Sequence, residues 1–219
     1  MEPSEHPRPI VILAVAFTSV SAILIRLSEA PPISIAAFRM LFSFLLIAPF
    51  AFRRASPLGK RDLLLAVASG AFLALHFATW ITGVTLTTVA SATVLVSMHP
   101  IVVILGSILF LREKPLPGVF ALVLVALGGT VVLSLGDLRS GSGDVLGNLL
   151  ALAGAVSVAG YMLLGSTLRR RVGALQYNAL VYGVAALLLF PAALATSAEL
   201  GPFPAREYLL FFGLAFLCT

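Results

Sequence analysis

Residues 63–84 read LLLAVASGAFLALHFATWITGV, and this stretch decides the fold class. It contains no Lys, Arg, Asp or Glu, and it exceeds the ~20 apolar residues that a helix needs to cross the ~30 Å hydrocarbon core of a bilayer. A membrane strand would alternate apolar and polar side chains, which this run does not do. The stretch therefore predicts a membrane-spanning α-helix.

The composition indicates that the whole chain is as apolar as a membrane protein. Its 219 residues are 60% hydrophobic and 11% charged, with a mean hydropathy of +1.09, whereas about 25% of an average soluble domain is charged. So few charges cannot cover a water-soluble surface, which excludes a soluble domain. The net charge of +5 sits in short basic clusters between apolar runs, so it indicates orientation in a membrane rather than nucleic-acid binding.

Further apolar runs predict an all-α, polytopic membrane helical bundle with seven full spans and a partial eighth. The eighth run begins at Tyr208 and is about 18 Å long by helical rise, which is too short to cross alone. The first run reads as a retained span, because the segment before it lacks the strongly basic region of a signal peptide. The seven full runs are Ile10–Ile25, Ile33–Phe52, Leu63–Val84, Val89–Leu111, Leu116–Leu135, Val145–Ser166 and Val172–Ala195.

The basic residues are distributed unequally between alternate loops, which predicts a cytoplasmic N-terminus. The poorer set of loops holds Arg26, Arg139 and Arg206, and the uncharged Leu86–Thr88 connection also lies on that outer side. The richer, cytoplasmic set holds Arg8, Arg53, Arg54, Lys60, Arg61, Arg112, Lys114, Arg169, Arg170 and Arg171.

An internal repeat relates the first spans to the last. Leu45–Pro49 in the second run matches Leu187–Pro191 in the seventh, and Arg61–Leu65 matches Arg206–Leu210 at the start of the eighth. Five spans precede the second unit, so the two units would be inverted in the membrane, as in many secondary transporters. We predict units at 10–136 and 145–219, the second cut short after about two and a half helices. Stripes of small residues, suited to close helix packing, recur as Ala14, Thr18, Ala22 and as Ala151, Ala155, Ala159.

Four motifs in the first unit are found in order: Ala37-Phe38-Arg39; Trp80 followed by Thr87–Ala92; Pro100 followed by Leu109–Glu113; and Gly118 with Gly128-Gly129. With these motifs the chain resembles the EamA-type domain of the drug/metabolite transporter superfamily. The resemblance implies ten helices in two inverted five-helix repeats with both termini cytoplasmic, so we expect helices nine and ten to be missing here.

The same resemblance implies what the protein does. It implies alternating-access transport of small metabolites, amino acids or drugs, often outward, through a multi-pass protein of the plasma (bacterial inner) membrane. The substrate would bind near the midplane between the two units, and no cofactor or metal is expected. The expected partners are the lipid bilayer and a small-molecule substrate, with a homodimer as a possible assembly and no nucleic acid.

Arg39 is the one cation within a predicted span, about 9 Å from its outer end by helical rise. A cation at such depth costs at least ~2.5 kcal/mol unless it snorkels or pairs. One interpretation is a cavity cation that meets an anionic or zwitterionic substrate. The alternatives are snorkelling to the outer headgroups and pairing with Glu29.

His76, Thr79 and Trp80 share one face of the third span, because they are spaced i, i+3, i+4. Together with His99 in the fourth span, they could line a substrate path or relay protons. The alternative is that the histidines are neutral and bonded to neighbouring helices, while Trp80 lies in the outer aromatic belt. Within the spans no Asp or Glu lies deep enough to support carboxylate-based proton coupling.

Pro100 follows His99 directly and frees the carbonyl of Val96, which creates a polar spot and a possible kink. Tyr161 and Asn178 are weaker candidates for the substrate path, because interhelical hydrogen bonding explains them equally well.

Two other function classes are alternatives to a transporter. We do not expect an intramembrane enzyme, because the chain has no His-Glu-x-x-His motif and Val67–Gly70 lacks the first glycine of a Gly-x-Ser-Gly site. A truncated or non-transporting membrane subunit is the second alternative.

Overall fold

The computed structural model describes residues 17, 20–53, 55–111, 118–140 and 144–219. Within these ranges the secondary structure is helical and contains no strand. A π-helical turn, Ser107–Leu111, follows α5. The helices are α1 (residues 20–27), α2 (Pro32–Ala51), α3 (Lys60–Leu86), α4 (Val89–Val96), α5 (His99–Gly106), α6 (Val119–Ser140), α7 (Val145–Val172), α8 (Ala174–Ala195) and α9 (Ala205–Cys218).

Among the described residues, five helical stretches are long and apolar enough to cross a membrane, by length and composition, and each coincides with a predicted span. α6 covers most of the predicted run Leu116–Leu135, and α9 covers the run that begins at Tyr208. Most of the first run, Ile10–Ile25, lies outside the described residues, as does Glu113. The five stretches are Pro32–Ala51, Lys60–Leu86, Val89–Leu109, Val145–Val172 and Ala174–Ala195.

The end of α7 differs from the predicted one, because charged residues continue the helix past Ser166. Arg169–Arg171 lie in its last turn, where cations interact favourably with the helix dipole. The helix stops at Gly173, whose φ of 83° suits a residue without Cβ. This single residue separates α7 from α8.

The fourth predicted span, Val89–Leu111, is interrupted close to Pro100, where the sequence predicted a possible kink. α4 ends at Val96, Ser97 and Met98 form a turn, and α5 begins at His99. Pro100 explains the break, because it has no N–H to donate and its ring clashes with the preceding helical turn.

The central interface joins α3 to α7, the most extensive contact between described helices. Its backbones touch at glycines: a Cβ built on Gly83 would lie 2.9 Å from both the backbone nitrogen of Ala151 and the carbonyl oxygen of Gly147. The predicted stripe of small residues on α7 is fully buried, since Ala151, Ala155 and Ala159 are each 0% exposed. Small residues therefore bring the two helices together.

An aromatic cluster around Phe38 joins α2 to α8 and α9. The Phe38 ring stacks on Phe211 with centroids 5.2 Å apart, and it meets Phe190 and Tyr208 edge to face. This cluster is next to Arg39 in the sequence, so it fixes the part of α2 that carries the guanidinium.

Candidate functional site

A cavity of about 390 Å³ lies between α1, α2, α3, the α4–α5 break, α7 and α9. Its volume falls within the ~300–1,000 Å³ of typical small-molecule sites. Both predicted units contribute to its walls, with α7 and α9 supplied by the second. The lining residues are Ser21, Arg39, His76, Phe77, Trp80, Thr93, Val96, Ser97, His99, Val158, Met162 and Cys218.

Arg39 is the charged group of this cavity and is only 3% exposed. Its Nε donates to the Thr219 hydroxyl at 2.9 Å, and its Nη1 donates to the Ser21 hydroxyl at 3.0 Å. Nη2 donates to the Cys218 carbonyl, and the guanidinium carbon lies 4.4 Å from the centroid of the Phe77 ring. All three acceptors are neutral, and none of the described acidic residues forms an ion pair with Arg39.

The two alternative interpretations of Arg39 are wrong. Snorkelling would expose the guanidinium, but the residue is buried inside the bundle. Glu29 pairs instead with Arg206 at 3.7 Å, through side chains that are 89% and 56% exposed.

His76 is fixed by a hydrogen bond across the α3–α7 interface. Its Nδ1 lies 2.8 Å from the carbonyl oxygen of Gly154. A carbonyl only accepts hydrogen bonds, so Nδ1 carries the proton. The ring also stacks on Trp80, with centroids 5.9 Å apart and planes 3° from parallel. The contact joins His76 to a neighbouring helix, as one of the predicted alternatives expects.

Trp80 lies inside the bundle at 8% exposure, so the predicted alternative of an outer aromatic belt is wrong. Gly154 leaves room for Trp80, because a Cβ built on Gly154 would lie 3.0 Å from the Trp80 Cβ. The indole Nε1 is buried and has no hydrogen-bond partner among the described residues. A buried donor left unpaired costs ~1–3 kcal/mol, so it marks a place where a ligand atom could bind.

His99 lies at the helix break and bonds to the carbonyl that Pro100 leaves without its helical donor. Its Nδ1 lies 3.0 Å from the Val96 carbonyl oxygen, so the polar spot predicted there has an intramolecular donor. Pro100 itself shapes the break and is not among the lining residues.

Three other predicted site residues lie away from this cavity. The Thr79 hydroxyl donates to the Leu75 carbonyl of its own helix at 2.8 Å. Tyr161 stacks on Tyr177 with ring centroids 5.9 Å apart. Asn178 lines a separate cavity of about 440 Å³ between α2, α8 and α9.

Sequence reasoning missed the apolar and small lining residues, including Phe77, Val158 and Met162, because they look like ordinary core positions. It also missed two buried carboxylates. Asp62 is 1% exposed and Glu207 is 4% exposed; with Arg39 they are the buried charged residues of the described chain. An Arg-acid pair directly before each apolar run was the available signal.

The Asp62 carboxylate binds the end of α7: it accepts from Arg171 Nη1 at 2.7 Å and from the Gly59 backbone at 3.0 Å. The Glu207 carboxylate binds the end of α1, where it accepts from the Ser28 hydroxyl and, at 3.3 Å, from the Glu29 backbone.

Within the described ranges, no group of three or more His, Cys, Asp or Glu residues could hold a metal ion. The cavity offers a cation, an indole donor and two imidazoles among aromatic and aliphatic walls.

Long apolar helices around such a cavity define a multi-pass membrane protein. The sequence matches the EamA-like transporter family over residues 9–135, which is more than half of the chain. The chain therefore belongs to the EamA-like transporter family, whose members are transporters rather than enzymes. Among the curated proteins none matches it.

Proposed function

We propose that this protein is an exporter of the plasma (bacterial inner) membrane, which moves a small metabolite, amino acid or drug by alternating access. The observation that carries the proposal is the single cavity on which Arg39, His76, Trp80 and His99 converge. Aromatic walls with a few polar groups are what a small-molecule site needs.

The experiment that tests transport is exchange by the purified protein in liposomes. Vesicles preloaded with each member of a panel of amino acids, metabolites and drugs should exchange at least one of them against external tracer, with saturation. If none exchanges and none raises the thermal stability of the protein, the transporter proposal fails.

The second part of the proposal is that two inverted repeats make up the chain, a five-helix unit at 10–136 and an incomplete unit at 145–219, and the helix packing supports this. A two-fold axis that exchanges α1 with α7, α2 with α8 and α3 with α9 maps the α3–α7 interface onto α9–α1. Both interfaces are present. α3 contacts α7, and a Cβ built on Gly213 of α9 would lie 3.8 Å from the Leu24 side chain of α1. The same axis maps α3–α8 onto α2–α9, and both pairs are in contact.

The buried carboxylates follow the same relation. Asp62 and Glu207 each occupy the third position of their helix, directly after an arginine. Each binds the end of the first helix of the other unit, α7 or α1. α2 and α8 also each contain a proline near the end, Pro49 and Pro191.

Neutralising either carboxylate should loosen its helix junction. We expect Asp62→Asn and Glu207→Gln each to lower the free energy of unfolding by about 1–3 kcal/mol, because a buried acceptor loses charge-assisted hydrogen bonds. Thermal unfolding in detergent measures the change. Glu29→Gln is the matched control, since its exposed pair contributes only ~0–1 kcal/mol. Effects of Asp62→Asn and Glu207→Gln no larger than that of the control would contradict this role.

Cysteine labelling tests the proposed cytoplasmic N-terminus. Cys218 is the single cysteine of the chain, so Cys218→Ala provides a background without thiols. In intact cells, a membrane-impermeant maleimide should label Glu199→Cys in the α8–α9 loop and spare Ser56→Cys in the α2–α3 loop. The reverse pattern would contradict the orientation that the basic loops predict.

A further inference from the structure

We propose that the cavity binds a small organic monocarboxylate, with its carboxylate held between Arg39 and Trp80. The inference rests on the proposed transport function and names the chemical class of its substrate. It depends on which charges and hydrogen-bonding atoms the cavity offers.

The charge of the cavity favours an anion. Arg39 is a buried cation whose three protein acceptors are neutral. No Asp or Glu occurs among the lining residues within the described chain. A buried charge without a counter-charge is costly, and pairing relieves that cost. A bound carboxylate would supply the counter-charge, whereas a cationic ligand would add a second positive charge beside Arg39.

The donors of the cavity favour a ligand group with several acceptor atoms. Guanidinium and indole N–H groups donate hydrogen bonds and cannot accept them. Trp80 Nε1 is buried and unpartnered within the described chain, so it is a donor that the protein itself leaves unsatisfied. A carboxylate has two acceptor oxygens, so it offers one acceptor for the guanidinium and one for the indole.

The number of permanent cations in the cavity favours a ligand with one negative charge. His76 and His99 each direct Nδ1 at a backbone carbonyl, Gly154 and Val96. These two Nδ1 donors are used within the protein, so neither is free for a ligand. Arg39 is the one permanently charged side chain among the described lining residues, so one guanidinium balances one carboxylate.

The remaining walls favour an organic body over an inorganic ion. Phe77, Trp80, Val158 and Met162 line the cavity with aromatic and aliphatic surface. Burying an apolar group against them is favourable in proportion to the area removed from water. A hydrated ion such as chloride would gain nothing from these contacts.

A series of ligands on one carbon skeleton tests the class. Trp80 is the single tryptophan of the chain, so intrinsic fluorescence of the purified protein reports binding at this site. The probes are hydrocinnamate, its primary amide, 3-phenylpropylamine and benzylmalonate, which has a second carboxylate. We expect a saturable change with hydrocinnamate and at least tenfold weaker binding of the other three, because a charge-assisted hydrogen bond contributes about ten- to hundredfold in affinity.

Variants then locate the carboxylate. Arg39→Gln should weaken hydrocinnamate binding by about ten- to hundredfold and remove the preference over the amide. Trp80→Phe, measured by thermal stabilisation, should weaken it about three- to tenfold. Arg170→Gln, an exposed position at the end of α7, is the control and should change nothing. If Arg39→Gln does not fold, the ligand series on the unmodified protein decides alone.

Several results would overturn the inference. Binding of the amide, the amine or chloride as tight as that of hydrocinnamate would show that charge does not select the ligand. The inference would also be overturned if neither hydrocinnamate nor any member of a panel of other aromatic and aliphatic monocarboxylates gave a response. Exchange of an amine or a neutral compound in liposomes would refute the monocarboxylate class while leaving the transport function intact, whereas no exchange of any compound refutes both.

Discussion

Arg39→Ala should reduce transport in liposomes at least tenfold while lowering the folded yield much less. The substitution removes the one buried cation of the cavity, and with it the charge-assisted hydrogen bonds that would hold a substrate, worth ~1.5–3 kcal/mol. The fold loses less, because burying a guanidinium without a counter-charge is itself costly. Initial exchange rates, normalised to the monodisperse protein recovered in detergent, measure the effect.

Arg39→Lys separates charge from geometry in the same assay. A lysine retains the positive charge but not the planar set of donors that bonds Ser21, Thr219 and the Cys218 carbonyl. Intermediate transport is expected. Parallel losses of transport and folded yield in Arg39→Ala would instead assign the residue a structural role.

Gly83→Ala and Gly147→Ala should each destabilise the protein by about 1–3 kcal/mol, because there is no room for a Cβ at the α3–α7 interface. The new atom at Gly83 would meet backbone atoms of α7 at 2.9 Å, and the one at Gly147 would meet the Thr87 nitrogen at 2.8 Å. Backbone cannot rotate away as a side chain can, so the helices must separate. Thermal unfolding in detergent measures the loss.

Gly129→Ala in α6 is the matched control for these variants. A Cβ there has no described atom within 4 Å, and alanine favours a helix over glycine by ~0.5–1 kcal/mol. Its stability should be unchanged or higher. If Gly83→Ala behaves like Gly129→Ala, the close α3–α7 contact does not stabilise the fold.

The sequence was sufficient to predict the membrane helices and the family, because both depend on local patterns. Apolar length predicted the spans that α2, α3, α7 and α8 form. Motifs around Arg39, Trp80 and Pro100 indicated the EamA-like family, which the match over residues 9–135 confirms. Arg39, His76, Trp80 and His99 were also singled out because polar groups within spans are rare.

The arrangement around the cavity could not be predicted, because it depends on contacts distant in sequence. The partners of Arg39 come from α1 and the end of α9, and His76 bonds to Gly154 of α7. Nothing local distinguishes Val158 or Met162 from a lipid-facing residue. Asp62 and Glu207 looked like ordinary interfacial acids at the span ends, and only the packing of α7 and α1 over them accounts for their burial.

The central claim is that the cavity is the substrate path, and chemical blocking tests it most directly. Ser97 lines the cavity and is exposed, so Ser97→Cys in the Cys218→Ala background accepts a methanethiosulfonate reagent. Ser56→Cys, in the α2–α3 loop, is the matched control. We predict that modification of Ser97→Cys lowers exchange at least tenfold, that the transported compound slows this modification, and that modified Ser56→Cys transports normally. Undiminished exchange by fully modified Ser97→Cys would contradict the claim.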